Sequence, residues 1–216
     1  MSTPDPYAGF PEGFFRRDDE RPDEVFYGPP RLVTHIDDAA IAAVGGLYAE
    51  LGIDGSAAAP QRVLDLMSSW ISHFAAPPDE LIGLGMNERE LAANPALAER
   101  VVADLNADPR LPFEDASFAG AVCTVSVDYL TLPLEVFAEV ARVLEPGAPF
   151  ACTFSNRCFP TKAIRGWLAT DDAGRVAIVR RYFELTSGFG PPASDLRTPP
   201  YAPGDPLWAV WAPARV

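Results

Sequence analysis

Residues 62–71, Arg-Val-Leu-Asp-Leu-Met-Ser-Ser-Trp-Ile, hold from Val63 an apolar run interrupted only by Asp65 and then turn polar at Ser68 and Ser69. A short apolar run bounded by polar residues reads as a strand buried on both faces of a sheet. The pattern recurs outward from this point, with further apolar strands predicted at 81–84, 101–105, 121–125, 150–154 and 207–212. Helical stretches are predicted between them, at 68–74, at 88–99 with an interruption at Pro95, and at about 172–187. Another helix presents Leu134, Phe137, Val140, Ala141 and Leu144 at spacings of three and four, and Pro146-Gly147 ends it. Short strands alternating with helices predict an α/β fold, a mostly parallel sheet with helices on both faces. Ligands of such sheets lie beyond the carboxyl ends of the strands, where the strand order reverses. The loops after Leu66, Leu84, Leu105, Val125 and Phe154 are therefore the candidate site.

Before this pattern starts, residues 1–30 are proline-rich and acidic, with Phe10, Phe14, Phe15, Phe26 and Tyr27 spaced through them. Such an arm cannot build its own core, but its rings can dock it onto the domain formed by 31–216. Asp37 and Asp38 are suited to cap a helix carrying Ile41, Val44, Leu47, Tyr48 and Leu51. With 216 residues and 48% apolar residues, the chain is long and apolar enough for a sizeable core. It has no run of about 18 apolar residues for a membrane span, and its first 30 residues lack the basic and apolar regions of a secretory signal. Three cysteines, Cys123, Cys152 and Cys158, lack metal-site spacing and read as reduced thiols of a cytoplasmic protein. A net charge of −13 disfavours nucleic-acid binding. Locally, though, Arg157, Lys162, Arg165, Arg175, Arg180 and Arg181 outnumber Asp171 and Asp172, which suits either a small anionic substrate or a solvated helix face.

Two further segments connect the chain to a family. Leu111-Pro-Phe-Glu-Asp-Ala-Ser-Phe118 runs into the strand Ala121-Val122-Cys123, and Phe137-Ala-Glu-Val-Ala-Arg-Val-Leu-Glu-Pro-Gly147 precedes the next strand. Together these resemble the class I S-adenosylmethionine-dependent methyltransferases of small-molecule type, over about residues 60–155. The resemblance implies a Rossmann-like seven-stranded sheet with its last strand antiparallel, S-adenosylmethionine as cofactor and a small-molecule substrate. It also implies a glycine-rich loop after Leu66, but Met67, Ser69 and Ile71 stand in the three glycine slots. Glycine serves such loops because it allows tight turns and close backbone approach.

Position by position, the resemblance assigns Asp65 to the methionine ammonium and Met67, Ser68 and Ser69 to the cofactor loop. Gly85 falls where the family has a ribose-binding carboxylate, leaving Asn87 and Glu88 nearby. Asp104 and Leu105 match the adenine-binding pair, and Ser126 matches a cofactor contact after the fourth strand. Asp65 and Asp104 are equally suited to hold local turns. Asp128 and Tyr129 are the catalytic candidates, Asp128 as a base or as a helix cap. Asn156, Arg157 and Lys162, at the carboxyl end of the fifth strand, are the substrate-binding candidates. His35 and His73 lack ligand-spaced partners, so no metal site is expected. His73 is placed to face the pocket or to pack, Trp70 to stack or to fill space, and Cys158 has no base to activate it. The two functions left in view are methyl transfer through an altered loop and a non-catalytic binding or regulatory protein of the same fold. The oligomeric state is open.

Overall fold

Successive side chains of a strand face opposite ways, and in this sheet both sets are apolar. Leu64, Leu66, Ile82, Leu84, Ala121, Cys123, Phe150 and Cys152 enter one buried cluster, whereas Val63, Leu81, Val122 and Ala151 enter another. Two helical layers are needed to cover them. The computed structural model, which describes residues 5–200 and 203–215, supplies both. The first four residues of the expected arm lie outside this description.

In chain order the elements are α1 (Asp23–Tyr27), α2 (Asp38–Glu50), β1 (Arg62–Leu66), β2 (Glu80–Gly85), α3 (Glu88–Ala93) and β3 (Glu99–Val102). They continue with β4 (Gly120–Thr124), α4 (Pro133–Val143), β5 (Pro149–Phe154), α5 (Arg165–Leu168), α6 (Asp172–Leu185), β6 (Ala193–Leu196) and β7 (Trp208–Pro213). The sheet has seven strands in the order β3-β2-β1-β4-β5-β7-β6. β1 to β5 pair in parallel, and β7 runs antiparallel to both of its neighbours. The order reverses at β1, flanked by β2 and β4, so a crevice opens at their carboxyl ends.

The predicted helix at 68–74 is absent: residues 67–79 cross from β1 to β2 without a helix. Ser68 and Ser72 turn their hydroxyls onto Asp65, a local alternative that competes with helical hydrogen bonding. The helix expected over 88–99 ends at Ala93, where Asn94 leaves the helical region ahead of Pro95. The third strand occupies 99–102 rather than 101–105, because Glu99 pairs beside Ile82. α1, α5 and β6 were not anticipated from the sequence pattern. Each is five residues or fewer, and β6 carries almost no buried side chain.

The N-terminal segment packs through its aromatics. Tyr7, Phe10, Phe14 and Phe15 stack on one another, and Phe10 and Phe15 also reach Tyr182 of α6. Gly166 is required here, since a Cβ would stand 2.2 Å from the Phe14 ring. Beyond the rings, a buried ionic cluster fixes the segment. Arg17 Nη1 lies 2.8 Å from both oxygens of Asp23, and Lys162 Nζ lies 2.9 Å from Oδ1 of the same carboxylate. Among the described residues no helix is long and apolar enough to cross a membrane.

Candidate functional site

A cavity of about 560 Å³ fills the crevice, within the range of small-molecule sites. Its floor comes from the strand ends: Asp65 and Met67 at the end of β1, Gly85 and Asn87 at the end of β2, Asp104 and Leu105 after β3, and Val125 and Ser126 after β4. Asn156 to Pro160 wall it from the β5 side. The N-terminal segment roofs it with Tyr27, Arg31, Val33, Thr34 and His35.

The altered loop is held by side chains instead of by glycines and a helix. Asp65 Oδ2 accepts from Ser68 Oγ at 2.6 Å and from Ser72 Oγ at 2.5 Å. Asn94, fully buried, donates to Ser69 O at 3.0 Å and to Ser72 Oγ at 2.8 Å. Ser69 Oγ donates to Glu90, whose other oxygen accepts the Arg31 N–H. Trp70 Nε1 donates to Val33 O, tying the loop to the roof, while both residues line the cavity. Met67, in the first glycine slot, adopts φ 55°, so the left-handed turn survives without glycine. Val125 sits at φ 47°, where a β-branched residue is strained by about 1–3 kcal/mol.

The loop's path also explains Gly85. Ser68 N donates to Leu84 O at 2.8 Å, which carries the chain across the end of β2. A Cβ on Gly85 would stand 2.2 Å from Ser68 O, so no side chain fits where the resemblance expects the ribose carboxylate. Asn87 does not replace it. Its Oδ1 caps α3, and its Nδ2 donates to Tyr27 O and Gly28 O of the roof.

The remaining candidates divide by position. Asp65 lines the cavity, and burial pushes its carboxyl up to about 6 against its two serine bonds. No hydrogen bond among the described residues reaches its Oδ1. Asp104 also lines the cavity, with Oδ1 accepting from Asn106 N and Ala107 N, so it caps its own loop and leaves Oδ2 uncommitted. Leu105, Ser126, Asn156, Arg157 and Tyr129 are lining residues as well, the last with its hydroxyl accepting from Phe159 N. Asp128 and Lys162 do not line it. Asp128 is buried behind Tyr129, and Lys162 is buried in the ionic cluster under the N-terminal segment. A catalytic proton transfer by Asp128 and a substrate contact by Lys162 both need an exposure that neither has.

Arg31 and His35, which the sequence singled out for no role at the site, also meet here, beside His73, for which facing the pocket was one of two readings. Arg31 stacks over Phe26 and Phe159 and bonds only to carbonyls, so its charge has no carboxylate partner among the described residues. Both histidines of the chain line the cavity, His35 from the roof and His73 from the loop. Burial lowers both, His73 to about 4 with His35 adding to the effect. No spacing pattern could have found Arg31 or His35, since the roof and the loop meet only in three dimensions. No group of three or more metal-ligating side chains occurs among the described residues.

Comparison with known proteins agrees with this architecture. Residues 67–152 match the methyltransferase domain family. The S-adenosylmethionine-dependent methyltransferase from Mesorhizobium loti is similar in structure, at 15% identity and TM-score 0.51, covering 79% of this chain and 97% of that one. The trans-methyltransferase CalH, solved as a complex with SAH, gives TM-score 0.58 at 13% identity, covering 81% of this chain and 57% of that one. The cyclase SpnF gives TM-score 0.57 at 15% identity, covering 88% and 90%. No curated protein matches in sequence. The fold is that of the class I S-adenosylmethionine-dependent methyltransferases, and the match to the domain family spans residues 67–152 of it.

Proposed function

We propose that this protein transfers a methyl group from S-adenosylmethionine to a small molecule bearing an anionic group. The observation that carries this reading is the roofed cavity at the strand switch, with uncommitted carboxylate oxygens on Asp65 and Asp104. Carboxylates at these two places suit a cofactor that presents an ammonium and an exocyclic amine. When bound, the cofactor supplies an electrophilic methyl group on a positively charged sulfur. The chain's own part is to hold, orient and exclude water. Asp65 and Asp104 hold the charged and polar ends, Leu105 and Tyr129 flank them, and the roof covers part of the site. Arg31 and Arg157 support the anionic acceptor, Arg31 because its charge is unpaired and Arg157 because its ion pair with Asp205 is long at 3.4 Å and exposed. Free Cys123 and Cys152, side by side in β4 and β5, support residence in a reducing cytoplasm.

Titration calorimetry with S-adenosylmethionine and S-adenosylhomocysteine tests the proposal. Saturable heat is expected, weakened about ten- to a hundredfold in Asp65→Asn, as for the loss of a charged hydrogen bond of about 1.5–3 kcal/mol. No heat at millimolar ligand rejects it. A second reading, binding without catalysis, is favoured by Ser68 O at the place of the lost ribose carboxylate. The fold does not decide between them, since it serves methyltransferases and a cyclase alike. Saturable binding with no transfer to any acceptor offered selects the second.

A further inference from the structure

S-adenosylmethionine offers hydrogen-bond donors at its ammonium, at the exocyclic amine of adenine and at the vicinal diol of its ribose. Among the described residues, the carboxylates that line the cavity are Asp23, Asp65, Glu90 and Asp104. Asp23 is spent on Arg17, Lys162 and Asn106 within the ionic cluster. Asp65 and Asp104 each keep the free oxygen that suits a nitrogen donor. Glu90 is left for the diol. It lines the β2 side of the cavity, where Gly85 has no side chain to offer.

Glu90 is the third residue of α3, whose first turn is fixed by Asn87: its Oδ1 accepts from Arg89 N at 3.0 Å and from Glu90 N at 3.1 Å. Helical side chains lean back toward the start of their helix, so Glu90 reaches toward the end of β2. Its contacts locate the carboxylate there. Oε2 accepts from Ser69 Oγ at 2.5 Å, and Ser69 directly follows the residue whose carbonyl occupies the place of a side chain at position 85. Oε1 accepts from Arg31 N at 2.6 Å, which lays the roof over the same corner. A carboxylate has about four lone-pair sites, two on each oxygen. No other hydrogen bond among the described residues reaches this one, so each oxygen keeps a free site. Two adjacent acceptors are what a pair of neighbouring hydroxyls needs. Glu88, nearer in sequence to the end of β2, is exposed and outside the cavity lining.

We infer that Glu90, reaching back from α3, replaces the carboxylate missing at position 85, its two oxygens accepting from the two ribose hydroxyls of the cofactor. The inference rests on the methyltransferase reading above and gives a holder to the part of the cofactor that reading left without one. Two bonds, to Ser69 of the loop and to Arg31 of the roof, hold the carboxylate before any ligand arrives, so binding requires little further ordering of the side chain. A carboxylate that only stapled the loop to the roof would make the same two bonds. The two roles differ in one respect: a staple is indifferent to the ribose hydroxyls.

Titration calorimetry with S-adenosylhomocysteine and with its analogue lacking both ribose hydroxyls reads this difference, as a cycle of ligand change against residue change. The readout is the ratio of the two affinities. Wild type is expected to prefer the diol about ten- to a hundredfold, as for hydrogen bonds to a charged group. Glu90→Gln, which removes the charge and one acceptor, is expected to lower that ratio about tenfold. Ser69→Ala removes a staple bond but keeps the carboxylate, so it should retain the wild-type ratio even if both ligands bind more weakly. Should Glu90→Gln fail to fold, Glu90→Asp keeps the charge, withdraws it by one methylene and should lower the ratio as well. The inference is overturned if wild type binds both ligands alike, or if the Glu90 variants weaken both ligands by the same factor, as loss of a staple alone would. Failure of the underlying reading looks different, because wild type then gives no heat with S-adenosylhomocysteine at all.

Discussion

Asp128 provides a sharp test of how burial acts on this protein. It is 2% exposed, its Oδ2 has no partner, and burial pushes its carboxyl up to about 8 from an ordinary 3.8. Arg175 Nε and Tyr182 Oη are also buried without partners, and Asp128 interacts electrostatically with both residues. Between about pH 4 and pH 8 the folded state keeps a proton that the unfolded chain releases. Stability therefore falls as pH rises through that window, by about 1.4 kcal/mol per unit, and by pH 7 the loss is about 4 kcal/mol. Asp128→Asn has the shape of the protonated acid and cannot ionise, so it escapes this loss. It introduces an amide whose donors lack partners, at a cost of about 1–3 kcal/mol. The variant should thus be less stable than wild type at pH 4 and more stable by about 1–3 kcal/mol at pH 7. Urea unfolding at four pH values between 4 and 8, followed by tryptophan fluorescence, measures the difference. Other titrating groups are common to both proteins and cancel. A difference that does not change with pH would refute the reasoning.

Asn94→Ala removes three hydrogen bonds from a fully buried site and strands Ser69 O and Ala96 N, so a loss of about 2–4 kcal/mol is expected in urea unfolding. Lys162→Ala breaks a buried ion pair and leaves the Asp19 and Arg21 carbonyls without a donor, which should cost about 3–5 kcal/mol. Limited proteolysis should then cut the N-terminal segment faster than in wild type. Gly85→Ala forces Ser68 off the end of β2, for about 1–3 kcal/mol. Hydrogen exchange should show the Ser68 amide losing protection there, and unchanged exchange would contradict the loop path described above.

The sheet was legible because its strands announce themselves locally. Val63 to Leu66 and Phe150 to Phe154 are apolar on both faces, and only a strand covered twice has that composition. β7 was legible for the same reason, but its partner β6, Ala193–Leu196, lies on an exposed edge where burial imposes no pattern. The loop after β1 misled because a helix is an inference from spacing, whereas Ser68, Ser72 and Asn94 act through side chains that meet across the fold. The lining of the cavity was legible wherever it is built from strand ends, as at Asp65, Asp104 and Ser126. Its roof was not, because Arg31 and His35 reach the cavity only once the N-terminal segment has docked. Lys162 lies away from the cavity for the same reason: it belongs to the polar run after β5, but Asp23 folds back to claim it.

The two departures from the family pattern, the missing glycines and the missing carboxylate at position 85, have one cause. A glycine-rich turn would let the chain enter a helix and leave the end of β2 open for an acidic side chain. In this chain the turn keeps its left-handed start at Met67, but the serines then draw it sideways onto Asp65, and Ser68 bonds to Leu84. That path places the Ser68 carbonyl where a side chain at position 85 would begin, so glycine there is a consequence of the loop and not an independent loss. The same displacement brings His73 to the cavity and leaves Trp70 free to bond the roof at Val33. One change of path thus accounts for the glycine at position 85, for His73 at the cavity and for the bond that ties the loop to the roof.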